Sequence, residues 1–175
     1  MPNTQFTDAI AMLKADHRKV EELFEKFESA RNGSKQKLAQ QICDELKIHT
    51  ILEEEIFYPA LRDKIEEDTL NEAYVEHDGA KVLINDIMAG GPDDAFYDAK
   101  VKVLSEEIKH HVKEEEKRGG IFSGARAAEM DLAALGQKLA ARKEELMAQF
   151  RSGGVPAPIM RTMKASPLEH SRTGV

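Results

Sequence analysis

The chain of 175 residues has a single cysteine, Cys43, and no long apolar run. A lone cysteine cannot form a disulfide within the chain, which favours a reducing compartment. No apolar segment approaches the roughly 20 residues that a membrane-spanning helix requires. The first residues also lack the charged and then apolar layout of a signal peptide. We therefore expect a cytoplasmic protein with no membrane partner.

Sustained runs of basic residues are absent as well. The chain has 32 acidic and 25 basic residues, which give a formal net charge of −7 at pH 7. A surface of that sign repels the phosphates of nucleic acids and anionic lipids, so we expect no nucleic-acid partner. The remaining composition, 41% apolar and 33% charged, is typical of a well-solvated helical protein.

Apolar residues recur at helical spacing along most of the chain, and no segment reads as a strand. Four amphipathic helices follow one another with short links, and a fifth comes after them. Pro59 falls near the end of the second helix, where it should kink or interrupt the helix because proline has no backbone N–H. The predicted helices span residues 7–30, 35–58, 69–89, 94–117 and 125–150, and Thr7 is the predicted N-cap of the first.

Four antiparallel helices with short links pack as an up-down-up-down bundle, a fold that builds metal sites from interior side chains. The predicted fold class is therefore all-α, a four-helix bundle with an additional C-terminal helix. We assign residues 1–150 to one domain, with its core at 7–126 and the extra helix at about 125–150. Residues 151–175 are rich in Gly, Pro and Ser and predict a flexible tail.

Two short motifs repeat one arrangement of metal-binding side chains. His49 precedes Glu53 by four residues, and His111 precedes Glu115 by the same interval. Residues four apart share one face of a helix, with Cβ atoms about 5–6 Å apart. An imidazole nitrogen and a carboxylate oxygen placed in this way can bind one ion. Two such pairs, on two helices, can bind two ions.

Helical phase directs both motifs towards the core. His49 lies three residues after Leu46, and His111 lies three residues after Ile108. Both glutamates continue these apolar faces, where a carboxylate without a partner would be costly. Two further histidines, on the first and third predicted helices, have the same phase: His17 and His77. A cation neutralises such buried glutamates, so the six side chains predict an interior metal site.

His110 competes with His111 for the role of ligand. Each motif overlaps a run of three glutamates, at residues 53–55 and 114–116. Aligning these two runs would match His110 with His49. However, Glu106 and Glu107 lie one turn before His110 and make that face polar. The helical phase therefore favours His111.

The donor types restrict the metal. Histidine and carboxylate suit iron, manganese or zinc, and the absence of cysteine ligands argues against an iron–sulfur cluster or a structural zinc site. Six ligands are too many for one tetrahedral zinc ion. They suit two ions that are bridged by the carboxylates and keep a position open for a small molecule.

Four segments in order, ADHRKVEELF, IHTILEEEIFYPAL, EHDGAK and HHVKEEE, resemble the helix signatures of the hemerythrin-like, or HHE cation-binding, domain. The resemblance covers about residues 7–126. It implies a four-helix bundle with two non-haem iron ions, joined by two carboxylates and an oxo or hydroxo bridge. The ligands that it implies are His17, His49, Glu53, His77, His111 and Glu115, with Glu53 and Glu115 as the bridges.

One position departs from the family's pattern. Oxygen-carrying hemerythrins have a fifth histidine one turn before the third-helix ligand, and this chain has Ala73 there. Either one iron keeps an additional open position, or another side chain fills it. The candidates are Tyr58, Tyr74 and Glu54. A phenolate ligand would move the centre away from reversible oxygen carriage.

The resemblance implies that the iron centre binds O₂, NO or H₂O₂. It also implies that the protein either senses oxygen, oxidative stress or nitrosative stress, or takes part in iron handling. Two alternatives stay open. The first is an enzyme that dismutes peroxide, or an iron donor for cluster repair. The second is a metal-sensing interaction module that recruits a protein partner through the fifth helix or the tail. The sequence leaves open whether the protein is an enzyme.

Overall fold

The computed structural model describes residues 8–154, Pro156 and residues 158–164. Every regular element in this part of the chain is helical. A π-helical turn at Glu53–Phe57 lies between the second and third helices. The α-helices are α1 (Ala9–Ser29), α2 (Asn32–Leu52), α3 (Tyr58–Leu61), α4 (Glu67–Gly90), α5 (Tyr97–Glu116), α6 (Ile121–Ala127) and α7 (Leu132–Arg151). Among these described helices, none has both the length and the apolarity needed to cross a bilayer.

The long helices α1, α2, α4 and α5 form a four-helix bundle. Helix α1 packs on α2 and α5, and α4 also packs on α2 and α5, which closes the ring. Short connections, such as the two residues between α1 and α2, turn the chain back on itself. Helix α7 packs outside this ring against α1 and α2. The predicted all-α class and bundle with an additional helix are confirmed, whereas the domain limits stay a prediction.

Two helix boundaries differ from the prediction in the first half of the chain. The α1 N-cap is Asp8, whose carboxylate accepts a hydrogen bond of 2.8 Å from the Ala11 N–H; Thr7 lies outside the described residues. Near Pro59 the helix does not end but changes its winding. The Tyr58 N–H bonds to the Glu53 carbonyl, five residues back, one residue before the proline that has no N–H to donate.

The segment predicted as one fifth helix forms two. Helix α6 ends at Ala127, and Glu129 then adopts a positive φ of 53°, which breaks the helical path. Asp131 begins α7 as its N-cap, accepting a hydrogen bond of 2.9 Å from the Ala134 N–H. The predicted start at residue 125 therefore lies inside α6.

Two apolar clusters fill the bundle, and a polar layer lies where they meet. The first cluster includes Leu13 and Leu52, and the second includes Val20 and Leu104. Along α1, His17 lies between Leu13 of the first cluster and Val20 of the second. The other three helices pass through the same boundary, and each brings polar side chains into the layer.

Candidate metal centre

The six residues singled out in the sequence meet in this polar layer. Each of them is at most 6% exposed. Their donor atoms form two groups in which all atoms lie within 4.8 Å of one another. Glu53 belongs to both groups. The first group is His17, His49, Glu53 and Glu115, and the second is Glu53, His77 and His111.

The histidines face one another in pairs through their Nε2 atoms. The distance between these atoms is 3.1 Å for His17 and His49 and also 3.1 Å for His77 and His111. Two neutral imidazoles that both present a lone pair at this distance repel each other. Each pair therefore needs either a proton or a metal cation between its nitrogens.

The two glutamates connect the histidine pairs. Glu53 Oε1 lies 3.2 Å from His49 Nε2, while its Oε2 lies 3.3 Å from His77 Nε2. Glu115 Oε2 lies 3.3 Å from His17 Nε2 and 3.6 Å from His111 Nε2. Each carboxylate thus faces one histidine of each pair, which is the arrangement that a bridging carboxylate requires.

Carboxylates also face the outer nitrogen of each histidine. Such contacts fix the ring and keep the Nδ1 proton outside, so that the Nε2 lone pair points inwards. Three of these contacts have hydrogen-bond distances, whereas the contact between Asp16 and His49, at 3.6 Å, is an ion pair without a hydrogen bond. The Nδ1 partners are Glu116 for His17 (2.8 Å), Asp16 for His49 (3.6 Å), Glu54 for His77 (3.2 Å) and Glu76 for His111 (2.6 Å).

Electrostatics keeps the layer rich in both protons and negative charge. Burial opposes the protonation of His49, but Glu53 and Asp16 outweigh it and raise the pKa of His49 to about 10. Burial likewise opposes protonation of His77, yet Glu53 and Glu54 raise its pKa to about 9. For Glu53, burial opposes ionisation, while His49 and His77 hold its pKa well below the usual range. The layer therefore favours bound positive charge.

Two carboxylate oxygens on the inner side of the histidines have no hydrogen-bond partner among the residues that the structure describes. They are Glu53 Oε1 and Glu115 Oε2, both fully buried. A buried acceptor without a partner costs about 1–3 kcal/mol. Both atoms lie beside histidine Nε2 atoms, so one cation can satisfy the oxygen and the nitrogen together. The donor set of imidazole nitrogens and carboxylate oxygens, with no thiolate, fits iron, manganese or zinc.

A tyrosine hydroxyl shares the polar layer. Tyr58 is fully buried, and its hydroxyl lies 2.6 Å from Glu115 Oε1 and 3.2 Å from Glu53 Oε2. The same oxygen is 3.4 Å from His77 Nε2 and 3.5 Å from His111 Nε2. Tyr58 therefore contacts both glutamates and one complete histidine pair.

The π-helical turn explains how Tyr58 enters the layer. Tyr58 follows Glu53 by five residues, an interval that puts two side chains on different faces of a regular α-helix. A π turn closes hydrogen bonds over five residues, and so it brings such a pair onto one face. Helical phase alone could not place this side chain. The signal in the sequence is Pro59, which marks the change of winding.

The structure distinguishes the three side chains that could replace the fifth histidine, which Ala73 does not supply. Only Tyr58 reaches the inner nitrogens, because Glu54 contacts the outer nitrogen of His77 and Tyr74 packs its ring against Tyr58 at a centroid distance of 5.3 Å. Ala73 itself lines a cavity of about 140 Å³, which His111 and Glu115 also line. The volume that a histidine at this position would enter is therefore open.

Neither His110 nor Cys43 reaches the layer. The His110 side chain is 61% exposed and lies 3.3 Å from Glu76 on the surface, while its neighbour His111 is buried. Cys43 is buried in the second apolar cluster, and burial raises the pKa of its thiol to about 12. The thiol therefore stays protonated and packs as an apolar side chain.

A helical bundle with histidines and carboxylates gathered at its centre defines a class of cation-binding proteins. Residues 8–118 match the family described as the hemerythrin HHE cation-binding domain. This match covers more than half of the chain, and the chain belongs to that family.

Similar proteins include one that was matched by sequence and one that was matched by structure. A DNA nickase of Nostoc sp. strain PCC 7120 is 31% identical over 106 residues, which are 60% of this chain and 30% of the nickase. The chain thus spans less than a third of that relative. The crystal structure of a hemerythrin HHE cation-binding-domain protein from Mycobacterium kansasii has a TM-score of 0.71 and 23% identity, and the match covers 85% of this chain and 95% of that one. This likeness supports the fold.

Proposed function

We propose that this protein is a non-haem di-iron protein that binds O₂, NO or H₂O₂ at its interior centre. One observation carries the proposal: Glu53 and Glu115 each face one histidine of each pair. Carboxylates in this position can bridge two ions. A single ion would need only one of the two groups of donor atoms, either the one with His17 and His49 or the one with His77 and His111. The proposed ligands are His17, His49, Glu53, His77, His111 and Glu115.

Different residues of the chain would bind the ions, bridge them and orient the histidine rings of such a centre. His17 and His49 would hold one ion, His77 and His111 the other, and the two glutamates would join them. When bound, the iron pair supplies electrons to, or accepts them from, a small oxygen or nitrogen ligand. The outer carboxylates orient the four imidazoles, because each one faces an Nδ1 atom.

The space beside the histidines limits the size of the ligand. A cavity of about 20 Å³ is lined by all four histidines together with apolar side chains such as Val20, Leu46 and Val112. This volume suits a molecule about as large as water. The apolar lining keeps bulk water away from the ligand. Both properties favour a diatomic molecule or peroxide over an organic substrate.

Tyr58 favours peroxide dismutation as a second candidate function. Burial, followed by the charges of Glu115 and Glu53, raises the pKa of Tyr58 well above its usual value. Its hydroxyl therefore keeps its proton, which it donates to Glu115 while lying beside the Nε2 atoms of His77 and His111. Dismutation converts two H₂O₂ into two H₂O and one O₂, and it requires proton movement between the two peroxides. A hydroxyl held at the site supports such turnover as a hydrogen-bond donor to a bound peroxide, and not as an acid, because its pKa is too high for proton transfer at pH 7.

Metal analysis with an absorption spectrum of the aerobically purified protein tests the proposal. We expect about two iron ions per chain and an oxo-bridge absorption near the ultraviolet edge. The His111→Ala variant should lose iron, whereas the matched His110→Ala variant should keep it. Zinc in place of iron, or no bound metal, would contradict the proposal. Oxygen release from added peroxide then separates dismutation from simple ligand binding.

The Nostoc relative raises DNA as a competing substrate. This chain covers only 30% of that nickase and carries a net charge of −7, which disfavours contact with phosphates. We therefore propose that DNA is not a substrate, and that the protein acts in the cytoplasm without a membrane partner. Nicking of supercoiled plasmid by the iron-loaded protein, lost in His49→Ala, would overturn this view.

A further inference from the structure

Residues 158–164 lie against the bundle and form what we call the C-terminal strap. The sequence predicts a flexible tail here, but the backbone N–H groups of Arg161, Thr162 and Met163 all donate to the Asp78 carboxylate at 2.7 to 3.1 Å. The Thr162 hydroxyl adds a fourth donor at 2.8 Å. No periodic pattern in the sequence marks such a segment, because its backbone, and not an apolar face, holds it in place.

Asp78 is the anchor of the strap. It is fully buried and directly follows His77 in α4. Burial opposes its ionisation, but the hydrogen bonds from Thr162 and Arg161 hold its pKa well below the usual range. A buried carboxylate that stays ionised needs its donors, and the strap supplies most of them. Among the described residues, four of the five donors to the Asp78 carboxylate therefore come from the docked strap, and the fifth is Lys81.

A buried lysine joins the strap to the outer side of the metal centre. Lys81 is 6% exposed, and its Nζ donates to Asp78 at 3.0 Å, to Glu54 at 2.7 Å and to the Ile159 carbonyl at 2.8 Å. Arg161 Nε adds a second cation on Glu54, at 3.1 Å from Oε2. The negative charges of Asp78 and Glu54 are thus neutralised by the positive charges of Lys81 and Arg161.

Glu54 carries this network to a proposed ligand. Its Oε1 lies 3.2 Å from His77 Nδ1, on the ring edge opposite to the nitrogen that faces the centre. The two cations bind both oxygens of Glu54 and so leave its carboxylate a single orientation. The strap is therefore one carboxylate away from His77, although it lies outside the family match at residues 8–118.

We infer that the C-terminal strap is a positioning element of the metal centre. Arg161 and Lys81 fix Glu54 on His77 Nδ1, and Glu54 in turn aims His77 Nε2 at its ion. This inference rests on the proposed function, since it needs a metal at His77. Coupling of this kind is reciprocal: strap docking slows metal loss, and bound metal tightens the docked strap.

Iron release from Arg161 variants tests the inference. The full-length protein is loaded anaerobically with ferrous iron and then mixed with a ferrous chelator, and release is followed by absorbance. Loss of a residue that orients a ligand histidine typically weakens metal binding about 10- to 100-fold, so we expect Arg161→Ala to speed release of one iron about 10-fold. Arg161→Lys should restore most of the slow rate, since it keeps the cation on Glu54.

Lys164→Ala is the matched control, because it removes a positive charge from an exposed position of the same strap. Its release rate should equal that of the wild type. Equal rates for Arg161→Ala and the wild type would overturn the positioning role while leaving the di-iron proposal intact. A wild-type protein that takes up no iron would overturn the proposed function and the positioning role together.

Amide hydrogen exchange gives a second readout that does not depend on activity. The amides of Arg161, Thr162 and Met163 should be protected in the iron-loaded protein and exchange faster after iron removal. In Asp78→Asn, which keeps the size of the side chain but removes its charge, they should exchange fast in both states. Equal protection with and without iron in the wild type would show that the strap and the centre are not coupled.

Discussion

The Tyr58 hydroxyl and the Glu115 carboxylate lie 2.6 Å apart at the centre of the bundle, where they join α3 to α5. This contact exists because the π-helical turn before Pro59 rotates Tyr58 into the layer of histidines and glutamates. A tyrosine thus occupies the space between the two proposed bridging carboxylates. Its hydroxyl donates a hydrogen bond to one of these carboxylates, which predicts a contribution to the stability of the metal-free protein.

Replacing Tyr58 with phenylalanine should destabilise the metal-free protein. The change removes the only hydroxyl on Glu115 Oε1 among the described residues and leaves that buried oxygen without a donor. We expect a loss of about 1–3 kcal/mol in the free energy of unfolding, measured by urea denaturation. Tyr97→Phe, in the second apolar cluster, is the control and should change stability less. Equal effects of the two changes would rule out the proposed role of the hydroxyl.

Replacing Glu53 with glutamine should cost the protein at least one of its metal ions. An amide cannot offer two anionic oxygens to two ions, so the bridge is lost while the side chain keeps its size. We expect iron content measured by plasma emission to fall by half or more. Glu55→Gln provides the comparison, because Glu55 pairs with Arg142 on the surface and should not affect iron content. A full iron complement in Glu53→Gln would refute the bridging assignment.

Metal binding should release protons. In the metal-free protein the pKa is raised to about 10 for His49 and to about 9 for His77, against an ordinary value of 6.5. Both rings therefore carry a proton at pH 7, which an ion must displace to reach Nε2. We expect about two protons per chain on loading at pH 7, measured with a pH indicator in weak buffer. Loading without proton release would contradict this picture.

The same pKa shifts make the stability of the metal-free protein depend on pH. A histidine with a raised pKa stabilises the fold fully below the unfolded value of 6.5, and this stabilisation disappears as the pH rises through about 9 to 10. We therefore expect the midpoint of thermal unfolding of metal-free protein to fall between pH 6.5 and 10. The loaded protein should lack this decline, since its rings are already deprotonated.

Introducing a histidine at Ala73 should close the open side of the centre. The new side chain would enter the cavity of about 140 Å³ that also borders His111 and Glu115. We expect Ala73→His to keep its iron but to bind azide, a small anionic probe of open iron positions, more weakly. A spectral titration of the oxidised protein measures this change. Azide affinity equal to that of the wild type would mean that the probe binds elsewhere.

Helical phase predicts that the four histidines are buried, as they are in the structure, because the α-helical period holds along most of the chain. It put His111 inside and His110 outside, as the structure shows. Phase failed where the period changes, and so it could not bring Tyr58 under Glu53. It also could not pair Asp16 with His49 or Glu76 with His111, because these partners lie on different helices. The contact of Thr162 with Asp78 follows no period at all.

Anomalous diffraction at the iron absorption edge, from a crystal of the iron-loaded protein, tests the central claim most directly. Two peaks should lie inside the bundle, one beside His17 and His49 and the other beside His77 and His111, with Glu53 and Glu115 between them. A single peak, or peaks away from these side chains, would contradict the di-iron centre proposed for this protein.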